Sequence, residues 1–462
     1  MRIKTPVLYV LIFVIAALAP IQSLYAQQDD PFLDIKEVTS PGGIKAWLVE
    51  DHTVPVLAME FVFRGKGSKN DPAEKQGLVR MASNTMDEGA GDIESQAFQK
   101  ELQDLSLTLR FNVSRDHFGG SLKTLTQNQT RAFELLNLAL TKPRFDEEPV
   151  NRMRDANKAR LKSSVSNPRW IAARIQNDRI FENHPYAQNS GGTLSGLNNI
   201  TPDDLRAFHK TLKKDDLIIA VSGDITAEKL ASVLDQIFGG LPATTGEDEA
   251  KTEESKAPLT NAGKTYIFEM PIPQTNIEIA QPGISRSDDD YHAAQVMNYI
   301  LGGGGFGSRL MDEVREKRGL TYGIYTYFRE YKETDVYHVT TSTQNENVPQ
   351  MLELIKAEWQ KIKEEPVEQK ELSDARSYLL GSLPLSLTST DSIASLILSL
   401  QIDELPIDYL DKRQEKLRDI TSSDIQRAAE RILNADSFTT ILVGQPEGIS
   451  NAETIKTLPN VE

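Results

Sequence analysis

Residues 301–322, LGGGGFGSRLMDEVREKRGLTY, bring together the residue types best suited to approach a ligand. Four consecutive glycines, Gly302, Gly303, Gly304 and Gly305, lose too much backbone freedom on ordering to form a stable helix or strand interior. They are read as a loop whose backbone can come close to a ligand or partner. A phosphate loop needs Lys-Ser/Thr after its glycines, but Phe306-Gly307-Ser308-Arg309 stands there, which argues against nucleotide binding. Metal chemistry is poorly provided for. The chain has no cysteine, which excludes thiolate zinc sites, iron–sulfur clusters and disulfides. None of its six histidines (His52, His117, His184, His209, His292, His338) lies three or four residues from another, so no helix face carries an imidazole pair.

The elements that must position these residues are α+β. Lys45–Glu50, Val56–Arg64 and 107–113 read as strands, and 78–86, 131–140, 148–165 and 171–181 as helices. Strands resume at 264–270 and 276–281, then at 322–331 and 336–341, and three or four long helical segments follow between Val348 and Leu433. The second half repeats the first. Ile200-Thr201-Pro202-Asp203-Asp204-Leu205, then a helix, the strand 217–221 and Gly223, recurs as Ile420-Thr421-Ser422-Ser423-Asp424-Ile425, a helix, the strand 438–443 and Gly444. Residues 54–63 overlay 274–283 at nearly the same offset. So long a period means duplicated domains, not a solenoid. The expected fold is two homologous halves, each a mostly antiparallel sheet packed against helices, joined by a linker into a clamshell. The expected divisions are a signal peptide 1–26, an N-terminal half 30–243, an acidic linker 244–260 (TTGEDEAKTEESKAPLT), a C-terminal half 261–450 and a tail 451–462.

The N-terminus reads as a targeting segment. Arg2 and Lys4 precede thirteen unbroken apolar residues, Val7 to Ala19, and Ala26 offers a small residue at the cut. Cleavage after Ala26 would leave an exported, periplasmic or secreted chain; the alternative is an uncleaved anchor. Nothing later is apolar enough to span a bilayer, so no stable membrane insertion is expected once the signal is removed. The formal net charge of -16 disfavours nucleic acid and anionic membranes as partners.

Several blocks together resemble the insulinase/pitrilysin group of zinc peptidases and its mitochondrial processing peptidase relatives. They are Gly77-Leu78 entering a helix that ends at Glu88-Gly89, His184-Pro185-Tyr186 followed by Gly191-Gly192-Thr193, Val221-Ser222-Gly223-Asp224, and Ser308-Arg309-Leu310 through Arg315 to Tyr322. Active members of the group carry H-x-x-E-H on the helix after Gly-Leu: two imidazoles and a general base, with a downstream Glu as third ligand. Here those positions fall on Arg80, Ser83 and Asn84, and the third ligand near Leu161, in a stretch without Glu from 149 to 181. A guanidinium has no lone pair to offer and repels a dication. The chain is therefore expected to hold no zinc and no other cofactor.

The resemblance implies a role for Arg315 and Tyr322. In active relatives an equivalent pair from the C-terminal half holds the substrate backbone and stabilises charge on the scissile carbonyl, for which a guanidinium and a phenol are suitable donors. The alternative is local: Arg315 pairs with Asp312 or Glu313, and Tyr322 packs in the sheet. Gly302–Gly305 resemble in place the glycine-rich, substrate-capturing loop of the non-catalytic processing-peptidase subunit, or else are a turn that lets helices pack closely. His184 is read as a structural loop residue, and Arg80 with Asp87 or Glu88 as an internal ion pair. The implied function is a non-catalytic subunit of an exported heterodimeric zinc metallopeptidase acting on peptides or unfolded polypeptides, with zinc in a homologous partner. The alternatives are a peptide-binding or scaffold protein, or a metallopeptidase with an unconventional site.

Overall fold

The computed structural model describes residues 31–244, 256–459 and 461–462. The expected signal peptide and residues 245–255 of the acidic linker lie outside them. The first half supplies β1 (Ile35–Thr39), β2 (Lys45–Glu50), β3 (Val56–Arg64), a two-residue ribbon β4/β5 (Gly89–Ala90, Ile93–Glu94), β6 (Thr108–Val113), β7 (His117–Leu125) and β8 (Leu217–Gly223). The second supplies β9 (Thr265–Glu269), β10 (Gln274–Pro282), β11 (Ile324–Tyr331), β12 (Thr334–Gln344), β13 (Thr439–Gly444) and β14 (Ala452–Ile455). The two six-stranded sheets, β1-β2-β8-β3-β7-β6 and β14-β9-β13-β10-β12-β11, share their order over five strands, and differ at the sixth, where β1 runs antiparallel to β2 and β14 parallel to β9. Within each, the four strands from β8 to β6 and from β13 to β11 are antiparallel. The fold is α+β, with each sheet packed against helices.

The duplicated signals occupy duplicated places. Thr201 and Thr421 each close a capping box, with Asp204 and Asp424 respectively, ahead of helices Pro202–His209 and Ser422–Ile432. The strand overlay needs correction. Leu57 faces Gly223 across β3/β8, and Asn276 faces Val443 across β10/β13. That puts Leu57 over Thr275, two residues from the expected alignment. A two-residue slip leaves every side chain on the same face, so the apolar pattern does not reveal it.

Other differences have local causes. β7 is a strand although Gly119 and Gly120 interrupt its pattern. A Cβ on Gly119 would lie 2.4 Å from Phe61 O, and one on Gly120 2.6 Å from Phe61 Cζ, so close approach to β3 excludes side chains there. The segment 451–462 is more than a tail, since β14 pairs with β9 at the sheet edge. Of the expected linker, Ala257 is buried and donates its N–H to Glu333 O (3.1 Å), and Thr260 N donates to Ile180 O (2.9 Å). Five helices, not three or four, fill 348–432. Among the described residues no single helix is long and apolar enough to cross a membrane.

The halves exchange helices. Asn167 caps Pro168–Ile180 through bonds from Arg169 N and Trp170 N (3.0 and 3.3 Å), and the helix lays Ile171, Ala172 and Ile175 on Tyr266, Ile441 and Val443 of the C-terminal sheet. Its counterpart Thr390–Ile402 lays Ile393, Ile397 and Leu398 on Val49, Val62, Ile218 and Ala220 of the N-terminal sheet. The hairpin turns meet as well. Lys69 Nζ bridges Asp116 (3.0 Å) and Glu333 (2.6 Å), and His184 Nε2 reaches Glu333 (2.9 Å). His184 therefore ties the halves together, beyond capping its own loop by accepting Tyr186 N.

Candidate functional site

The helix Leu78–Ser83 starts at Gly77, whose φ of 101° suits glycine. Asp71 holds that start, its two oxygens accepting Gly77 N (2.7 Å) and Val79 N (3.0 Å). Burial pushes the Asp71 carboxyl up to about 6, against these backbone bonds. A Cβ on Gly77 would lie 2.9 Å from Gly192 Cα, so two of the glycines that carry the resemblance touch backbone to backbone.

Arg80 and Asn84 sit one turn apart on this helix and its C-cap, facing the helix Glu147–Ser164. Asn84 Nδ2 donates to Asn157 Oδ1 at 3.4 Å, and Asn157 Nδ2 contacts Met81 Sδ at 3.2 Å. The residue opposite Asn84 is thus Asn157. Leu161, where spacing put the third ligand, is buried in the N-terminal core. Ser83 Oγ donates to Arg80 O (2.8 Å). The expected pairing of Arg80 with Asp87 or Glu88 is not made, because Glu88 takes Arg152 Nη2 (2.8 Å) and Ser95 Oγ (2.5 Å). Burial lowers the Arg80 pKa, and Arg160 adds repulsion against a weaker attraction from Asp71.

The glycine run is wound, not open. The helix Tyr291–Asn298 widens into a π-helical turn Tyr299–Gly303, and Gly304 N donates to Tyr299 O (2.9 Å) before a tight turn Gly305–Gly307. A Cβ on Gly302 would lie 2.7 Å from Thr326 Cγ2, and one on Gly304 2.6 Å from Tyr299 O. These positions are small so that the turn can pack. Gly305 (φ 58°) and Gly307 border open space on either side of Phe306, which is 71% exposed.

Arg315 lies in a second π-helical turn, Asp312–Glu316. Its guanidinium stands 4.4 Å over the Phe306 ring and bonds Glu316 (2.9 Å). The carboxylates that could have held it elsewhere are taken: Lys317 reaches Asp312 (2.8 Å) and Glu313, and Arg318 reaches Glu313 (2.5 Å). Tyr322 is not packed in the sheet. It precedes β11 in a turn fixed by Thr321 Oγ1, which accepts Gly323 N (3.1 Å), and it is 88% exposed.

Residues 199–379 match the family model described as "Peptidase M16 inactive domain". A Helicobacter pylori protein described as "Non-peptidase homolog YmxG" is 26% identical over 342 residues, 73% of this chain and 77% of its own length. A Saccharomyces cerevisiae protein, "Mitochondrial-processing peptidase subunit beta", is 22% identical over 343 residues, 72% of this chain and 74% of its own. The crystal structure of a peptidase M16 inactive domain from Pseudomonas fluorescens superposes with a TM-score of 0.80 at 28% identity, covering 91% of this chain and all of that one. Residues 199–379 thus match a peptidase M16 inactive domain, and the chain as a whole is similar to M16 proteins. The resemblance to zinc peptidases lacking their motif is borne out at that level.

The zinc that the M16 fold implies does not fit this donor set. Arg80 offers no lone pair, Ser83 and Asn84 bring neutral oxygens, and the facing side chain is the amide of Asn157. Among the described residues no group of three or more His, Cys, Asp or Glu is placed to hold an ion. One signal for the facing position was within reach of the sequence. On helix 147–164, Val150, Asn157 and Leu161 share one face, and Asn157 is the polar member of that buried stripe.

Proposed function

We propose that this chain is the non-catalytic subunit of an exported heterodimeric zinc peptidase. A homologous partner carries the metal and the general base, and this chain supplies Arg315 and Tyr322 to the shared chamber. The observation that carries the reading is an asymmetry. The helix on which active relatives hold metal offers no imidazole or carboxylate here, while Tyr322 is exposed and the half-buried Arg315 is held only by Glu316 and the Phe306 ring among the described residues. The guanidinium would hold the substrate backbone and the phenol would donate to the oxyanion that forms as water attacks the scissile carbonyl. Gly302–Gly305 would meet the peptide through Gly305 and its neighbour Phe306, since Gly302 and Gly304 are packed against protein.

The test is reconstitution. A zinc-bearing homologue purified from the same source is assayed on an unfolded polypeptide with and without this chain. Stimulation by a stoichiometric amount of this chain is expected. A partner equally active alone refutes the reading, and peptide binding without stimulation would make the chain a peptide-binding or scaffold protein. Export is tested by fractionation and N-terminal sequencing, with the mature chain expected to begin at Gln27.

A further inference from the structure

The helix that lacks metal donors presents cations instead. Arg80 and Asn84 lie on one face of Leu78–Ser83 and its cap, and Asn157 and Arg160 on one face of Glu147–Ser164. Asn84 meets Asn157 at 3.4 Å, Arg160 follows Asn157 by one turn of its helix, and its charge is the largest repulsion on Arg80. Two guanidiniums therefore lie beside a pair of amides. Among the described residues, neither guanidinium forms a side-chain hydrogen bond or an ion pair. Asp71, the acid that attracts Arg80, has both oxygens engaged by backbone N–H groups, and Glu88 is committed to Arg152. Arg80 is half-buried and Arg160 exposed, so the pair opens to solvent at one end.

Like charges brought together beside a partly desolvated face are unfavourable unless an anion joins them. We propose that Arg80 and Arg160, with the amide of Asn84, bind a peptide carboxylate where relatives hold zinc. The guanidinium fork matches a planar carboxylate in bidentate geometry, and Asn84 can donate to a neighbouring backbone carbonyl. The source is a free C-terminus or an acidic side chain. The inference deepens the proposed function by naming which end or residue type of the peptide this face would anchor. It is tested on the isolated chain, without partner or hydrolysis, so it can fail while the subunit reading stands.

Binding is measured by calorimetry with N-acetylated short peptides of alanine, serine and leucine in three forms: free acid, C-terminal amide, and amide with one internal glutamate. The acid is expected to bind at least ~10-fold tighter than the plain amide, as a charge-assisted bond warrants. Recovery by the glutamate-bearing amide assigns the site to acidic side chains; no recovery assigns it to C-termini. The preference should shrink as salt rises, and Arg80→Gln should abolish it with Tm unchanged. Arg160→Gln should weaken it. No binding by any of the three, equal binding by all, or a preference that survives the double variant overturns the proposal.

Discussion

Arg315→Ala and Tyr322→Phe separate function from stability sharply enough to test the role of this pair. In the isolated chain Arg315 loses one exposed ion pair, worth about 0–1 kcal/mol, and a guanidinium–ring contact 4.4 Å from Phe306, worth about 0.5–1 kcal/mol. Tyr322 is 88% exposed, so removing its hydroxyl should stay within about 0.5 kcal/mol. Neither change should lower Tm by more than a few degrees. Loss of a positioned oxyanion donor costs about 2.7–4 kcal/mol in the transition state, a fall of roughly 10²–10³ in kcat. The assay is kcat of the reconstituted pair at saturating amounts of this chain, beside calorimetric Tm and the affinity between subunits. The reasoning is refuted if kcat changes by less than about threefold, or if its loss merely tracks a lower Tm or a weaker complex.

Other consequences are as definite. Combining Arg80→His, Ser83→Glu, Asn84→His and Asn157→Glu should create a site that takes up one zinc per chain. Moving the last carboxylate to Leu161, which points into the core, should not; equal loading of the two variants would show that the helix pairing is misplaced. Ile397→Ala should destabilise by about 2–5 kcal/mol, because this fully buried side chain packs on the opposite half's sheet. Hydrogen exchange should then quicken in β8 as well as in its own helix, and an effect confined to that helix would contradict the exchange. Glu278 is buried on β10, accepts only Thr340 Oγ1 (2.7 Å) among the described residues, and is pushed up to about 7 by burial, against that bond and Arg169. A raised carboxyl binds more protons folded than unfolded, so its penalty is absent below about pH 4.5 and complete above about 7. Glu278→Gln should therefore be neutral at pH 4 and stabilising at pH 8, on the order of 3 kcal/mol. A pH-independent difference in urea unfolding would rule this out.

Much of the fold could be read from the chain because its local signals recur. The capping threonines Thr201 and Thr421 and the strands that follow them mark the duplication at one spacing. What escaped notice depends on contacts between distant segments. Periodicity shows that Pro168–Ile180 and Thr390–Ile402 have apolar faces but not that each covers the other half's sheet. Glycines hid β7 and made 302–305 look open, since a missing side chain signals freedom in sequence and tight packing in three dimensions. At the site, the identities of Arg80, Ser83 and Asn84 were enough to exclude metal donors. Their surroundings were not legible: Asn157 rather than Leu161 meets Asn84, and Arg160 repels Arg80 more than Asp71 attracts it. A helix's phase against its neighbour is set by packing, which residue spacing alone does not fix.

The most direct measurement is zinc content, chain by chain, in the active assembly purified from its source and then separated into subunits. All of the zinc should travel with the partner, leaving this chain metal-free while activity returns on remixing. One tightly held zinc per copy of this chain, with Arg80 and Asn84 intact, would contradict the account.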